Sequence, residues 1–415
     1  MNTDTRRRCT GVFLLVAAAF LLLVRTAGAE DDFFDSLDDH LKFSAFNGNV
    51  TGRISGLLDV EEYYVKQPAP GLVYEEYSFL FNPRLTLNLD VQIGPQLYLF
   101  AQARADRGFD PSSQSDGQVG ADQYALRYTP WEDGRFNLQV GKFPTVVGNW
   151  SHRDDSWENP FITPPLPYEN QAGISDIAAA RSGTTLNNWT MAEETMLLPI
   201  IWEGNYTSGA SVFGSIGKFD YAAEIKNAAL SSRPDSWSVT TVGFGNPTYS
   251  GRLGWRPDEA WNLGVSSSFG SYLKPVAADT LAPGEGLDDY NEITIAQDAS
   301  FAWHHWQLWA ECYETRFQVP TVGNADTLAY YIEAKYKFTP EFFAALRWNQ
   351  QLFNTIPDGM GGNTAWGSDI GRIDAALTYR FSPHIQAKIQ YSFIDQDVPL
   401  WERQSFVAAQ FTVRF

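Results

Sequence analysis

Five histidines, His40, His152, His304, His305 and His384, are the first residues to test for chemistry in this chain. A serine or cysteine nucleophile needs a base within hydrogen-bond reach, and a metal needs several converging donors. Only His152 has such company, with Asp154 and Asp155 just behind it. That group is compatible with metal or protease chemistry, but a solvated acidic loop explains the same residues with fewer assumptions. We therefore expect no catalytic residue, no metal ligand and no cofactor. The cluster Gly359-Met360-Gly361-Gly362 lacks the strand-to-helix setting of a phosphate cradle. Three Asn-X-Thr triplets, at Asn49, Asn188 and Asn205, are read as chance.

A second pattern is electrostatic. Arg53, Arg84, Arg104 and Arg127 recur once per segment over the first four strand-like segments, each on the polar side of an alternating run. The interruption from Val147 to Asn205 follows, carrying Asp154, Asp155, Glu158, Glu169, Asp176, Glu193 and Glu194 against Arg153 and Arg181. Guanidinium groups facing carboxylates across water set up a transverse field that orders water, aligns dipolar solutes and rejects apolar ones. The competing reading pairs these arginines with Asp59, Glu61, Asp90 and Asp106 on their own wall, where they stabilise it. The same interruption holds Trp150, Trp157 and Trp189. These rings either stack on sugar faces or wedge the interruption against its support, and the sequence leaves both readings open.

The elements that must position these groups show in the period of the chain. From Asn49 onward, segments of about ten residues alternate apolar and polar, the signature of strands with two unlike faces. In the last one, Val407, Ala409, Phe411, Val413 and Phe415 share one face, while Gln404, Gln410, Thr412 and Arg414 share the other. Tight connectors such as Gly94-Pro95, Gly217-Lys218 and Ser382-Pro383-His384 alternate with longer polar stretches near 66–75, 107–120, 229–245, 274–289, 319–325, 354–367 and 397–401. That asymmetry predicts an all-β transmembrane antiparallel barrel of about sixteen strands, with turns toward the periplasm and loops outside. Residues 147–204 become its long third loop, folded inward. Aromatic residues, among them Trp255, Trp261, Trp303, Trp306 and Phe338, gather beside the short turns, as an interfacial girdle requires. A soluble sandwich would invert the two faces.

The ends and the composition agree. Residues 1–29 join Arg6-Arg7-Arg8 to the apolar run Val12 to Val24 and then Ala27-Gly28-Ala29, the pattern of a secretory signal peptide removed from the mature protein. Residues 30–47 form a short acidic leader, read as an amphipathic helix or a mobile segment, before the barrel of 48–415. No later run approaches the ~20 apolar residues of a membrane helix. With the expected signal removed, Cys312 is the remaining cysteine, so no intramolecular disulfide forms. The net charge of −19 argues against nucleic acid and anionic lipid as partners.

Val140-Gly141-Lys142-Phe143-Pro144 through Gly148, then Asn159-Pro160-Phe161-Ile162 and Pro165-Leu166, resembles the fifth-strand exit of phosphate-selective-type porins and their porin-like relatives. The resemblance implies an outer-membrane pore for small hydrophilic solutes, in homotrimers, with Phe415 presented to the barrel-assembly machinery and the outside facing lipid and lipopolysaccharide. It departs in its chemistry: those relatives rely on basic residues along the pore, whereas this loop is acidic, which removes the basis for phosphate specificity. Passive diffusion of small solutes or ions is the expected function. A substrate-specific sugar or oligosaccharide channel and an outer-membrane hydrolase are the alternatives.

Overall fold

The structure, a computed structural model, describes residues 27–65, 78–108, 117–180, 182–183, 186, 197–396 and 403–415. Residues 1–26 of the expected signal lie outside these residues, as do Arg181, Trp189, Glu193 and Glu194 of the loop. Sixteen antiparallel strands close into a barrel: β1 (Val50–Val65), β2 (Phe79–Ile93), β3 (Leu97–Asp106), β4 (Gln118–Tyr128), β5 (Asn137–Lys142), β6 (Ser208–Ile216), β7 (Phe219–Lys226), β8 (Thr248–Trp255), β9 (Trp261–Ser271), β10 (Asn291–Trp303), β11 (Trp306–Val319), β12 (Gly323–Lys337), β13 (Phe342–Phe353), β14 (Ile370–Arg380), β15 (Ile385–Gln396) and β16 (Arg403–Arg414). Closure comes from β1 against β16, in register from Leu57↔Arg414 to Val65↔Phe406. Closing the sheet leaves no edge with unpaired backbone groups, which a strand needs in order to cross hydrocarbon.

The pleat sorts the side chains. Along β13, Arg347, Asn349 and Gln351 point inward and are buried, while Leu346 and Trp348 point outward and are exposed. The apolar side is thus outside, an arrangement that hydrocarbon covers and water does not. Trp255, Trp261, Trp303, Trp306 and Phe338 are exposed beside the short turns, and Trp306 packs on Tyr336 in a ring cluster that continues to Phe338 and Phe342.

Two features differ from the sequence expectation or refine it. Residues 319–325 are not a long loop: β11 runs to Val319, β12 starts at Gly323, and only a tight turn joins them. The apolar character of the tip explains this, because Val319, Val322 and Ala325 pack with Phe317 and Trp366 under the neighbouring long loops. In the leader, the helix α1 spans Ala27–His40, and the short strand Lys42–Ala45 pairs back onto β1. It is held at the short-turn mouth by Asp38, which accepts from Arg53 at 2.8 Å, and by Phe34, which stacks on His384.

Candidate functional site: a pinned loop and the cavity beside it

The chain between β5 and β6 folds into the barrel and is fixed to β7 and along β11–β15. Its entry turns at Gly148, whose φ of +75° favours glycine. A side chain there would also run into the hydroxyls of Tyr313 and Tyr168. Glu224 accepts from the Val146 amide at 3.2 Å and from the Thr145 hydroxyl at 2.8 Å. Glu311 accepts from the Asn149 amide at 2.6 Å and from the Tyr168 hydroxyl at 2.8 Å. Further on, Arg347 donates to the carbonyls of Thr163 and Pro164 at 2.9 and 3.1 Å, and Gln390 accepts from the Ile162 amide at 2.6 Å. Arg372 reaches Glu169, the last residue of the short helix α2 (Leu166–Glu169). These contacts satisfy loop backbone groups that would otherwise be buried without partners.

The loop does not fill the lumen. A cavity of about 1040 Å³ runs between its front edge and the wall of β1–β8. Arg84, Arg104 and Arg127 line it from the wall, and Asp154 and Asp155 from the loop. The structure therefore brings together five of the residues singled out in the sequence. Arg84 is paired with Asp59 at 3.2 Å and Glu61 at 2.5 Å, and Arg104 with Asp106 and Asp122, both at 3.2 Å. Arg84 and Arg104 thus pair with carboxylates on their own wall and also line the cavity.

The other residues fall elsewhere. Arg53 stands outside the cavity lining, half-exposed and bound to Asp38 of α1. Glu158 is exposed on the loop but does not line the cavity. Glu169 is buried behind the loop on Arg372. Trp150 is buried against Tyr168, with ring centres 4.6 Å apart. Trp157 is buried beneath the guanidinium groups of Arg380 and Arg414. Neither ring lines the cavity, so both wedge the loop in place and the stacking reading does not apply to them.

Sequence reasoning missed Asp122, Glu203 and Tyr206. Asp122 is the extra residue where the β3–β4 register slips between Gln102 and Ala103. A bulge of this kind re-aims a side chain, and here it adds a carboxylate beside Arg104. No alternation pattern reveals it, because the bulge breaks the period on which that pattern rests. Glu203 and Tyr206 come from the far end of the loop, next to Asp154 in space only. The Tyr206 hydroxyl donates to Asp154 at 2.9 Å. Burial inside the barrel pushes the Asp154 carboxyl up to about 7, against the stabilising Tyr206 bond and with added repulsion from Asp155. Burial pushes Glu203 up to about 7 as well, against the opposing pull of Arg104 and Arg84.

His152 also lines the cavity, yet among the described residues its imidazole has no hydrogen-bonded serine or carboxylate, and the buried Ser151 hydroxyl has no partner. A nucleophile and its base are therefore not assembled there.

No family model and no curated protein matches the sequence. Solved structures do match. The chain is similar to the anion-selective porin from Comamonas acidovorans (12% identity, 88% of this chain and 100% of that one, TM-score 0.55). It is also similar to Salmonella typhi OmpF, solved in complex with daunomycin (13% identity, 90% and 100%, TM-score 0.55). The outer membrane channel DcaP of Acinetobacter baumannii matches as well (11% identity, 90% and 99%, TM-score 0.56). The fold of this chain is the porin fold. At these identities the likeness extends to architecture and not to the residues of the pore.

Proposed function

We propose that this protein is an outer-membrane porin that conducts small hydrophilic solutes and ions by passive diffusion, with cations favoured over anions. The observation that carries the reading is the charge balance of the cavity. Above about pH 7, where Asp154 and Glu203 are ionised, seven carboxylates line it, those of Asp59, Asp90, Asp122, Asp154, Asp155, Glu203 and Asp220, against the four guanidiniums of Arg84, Arg104, Arg127 and Arg252. Low-dielectric walls focus that excess along the water path and raise the local concentration of cations. Solutes are sorted by size and by field, without covalent chemistry. The family resemblance extends the proposal to a homotrimer, checked by cross-linking in membranes.

Reconstitution in a planar bilayer under a salt gradient tests the reading. The expected result is a conducting channel whose reversal potential has the sign of cation preference. Arg104→Gln removes the counter-charge of Asp106 and Asp122 and raises that preference. Arg53→Gln, remote from the lining, leaves it in place. A reconstituted barrel that passes no current overturns the proposal.

A further inference from the structure

The four cavity arginines are not equivalent. Arg84, Arg104 and Arg252 each hold a carboxylate, Arg252 reaching Asp298 at 2.6 Å. Arg127 makes no ion pair among the described residues. Its Nε and Nη2 both donate to the single side-chain oxygen of Gln139, at 3.1 and 2.9 Å. Its carbon centre lies 5.4 Å from the Tyr98 ring centre and 5.0 Å from that of Phe213. Arg127, Gln139, Tyr98 and Phe213 all line the cavity.

The position separates this group from the acidic loop. Arg127 is in register with Tyr98, and Arg104 lies six residues along β3, which at the rise of a strand is about 20 Å toward the long-loop end. Arg127 therefore belongs to the short-turn vestibule, beyond the stretch where Asp154 faces Arg104. Tyr98 spends its hydroxyl on Asp90, which leaves its ring to the guanidinium.

A guanidinium presents a planar fork of donors, and two parallel N–H groups match the two oxygens of a carboxylate. Gln139 occupies the Nε side of Arg127, leaving Nη1 and the outer hydrogen of Nη2 as a free fork. The two rings narrow the approach to the plane of that fork and lower its access to water, which strengthens a charge-assisted bond made there. We propose that Arg127, framed by Tyr98, Phe213 and Gln139, is a binding subsite for the carboxylate group of a permeating organic solute. This rests on the channel reading and deepens it: the pore attracts cations overall, yet holds one station at which an organic anion, or the anionic end of a zwitterion, pauses.

Single-channel current in potassium acetate, compared with potassium chloride and potassium phosphate, tests the subsite. Acetate current should saturate with concentration, and Arg127→Gln should raise the half-saturation concentration by roughly tenfold, the loss of a charge-assisted bond. Arg127→Lys, which keeps the charge but not the fork, should fail to restore it, and Arg53→Gln should leave it as in the native chain. Acetate current that rises linearly in the native channel overturns the subsite while leaving the channel reading intact. Full rescue by lysine overturns the planar fork as its basis, and phosphate saturating as tightly as acetate overturns its choice of a carboxylate. A barrel with no conductance removes the channel reading itself.

Discussion

Asp154 and Glu203 come from opposite ends of one loop and meet on the same cavity. Enclosed in the barrel, each carboxyl is less hydrated than one on an open surface, and both are pushed up to about 7. With a raised pKa each group is neutral below that value and charged above it. Lowering the pH from about 8 to about 6 therefore removes negative charge from the water path. Cation preference, read as reversal potential at fixed salt gradient, should fall over that window. The double variant Asp154→Asn with Glu203→Gln should show the weak preference at both pH values. A native channel whose selectivity is the same at pH 8 and pH 6 would place the charge that governs it elsewhere. The leading suspects would then be Asp155 and Asp220, which line the same cavity.

Between β5 and β6 the chain is a structured element held by ionic groups of the wall. Asp374 bridges Arg347 at 2.8 Å and Arg372 at 3.1 Å, and these two arginines hold the Pro164 carbonyl and Glu169. Arg372→Met would leave Glu169 buried without its partner, a local cost of about 3–5 kcal/mol when one member of a buried pair is removed. The loop should then detach from β14, with larger and noisier single-channel current, while the barrel still forms. Steady, native-sized current in Arg372→Met would show that the remaining anchors, Arg347, Gln390 and Asn349 among them, hold the loop without Arg372. The loop's existence and inward course were legible in the sequence, because its length and Pro/Gly content break a regular strand period. Its anchoring was not legible. Nothing in the alternation around Arg347, Arg372 and Lys388 sets them apart from other polar-face residues, and only tertiary contact reveals that they donate to loop carbonyls. The same limit applies to Arg53 and Arg127. Alternation gives the face a side chain occupies, but its height along the barrel and its partner depend on stagger and on the bulge at Asp122.

At the scale of the whole molecule the decisive property is which face of the sheet is apolar. The sense is consistent around the barrel: Glu311, Tyr313 and Glu333 are buried inside, while Ile332, Leu346 and Leu377 are exposed outside. Cys312 reports on that sense, because it is the one cysteine among the described residues and sits mid-way along β11. Its inward neighbours Glu311 and Tyr313 fix its own side chain to the outer face. If a bilayer covers that face, a charged maleimide added to intact proteoliposomes should leave Cys312 unmodified, since the reagent does not enter hydrocarbon. The same reagent should modify it fully after unfolding in denaturant. An apolar maleimide should reach it without unfolding. A barrel whose outer face met water instead of lipid would leave Cys312 open and labelled at once by the charged reagent. That single result would overturn the membrane-spanning reading on which the cavity, its field and its selectivity depend.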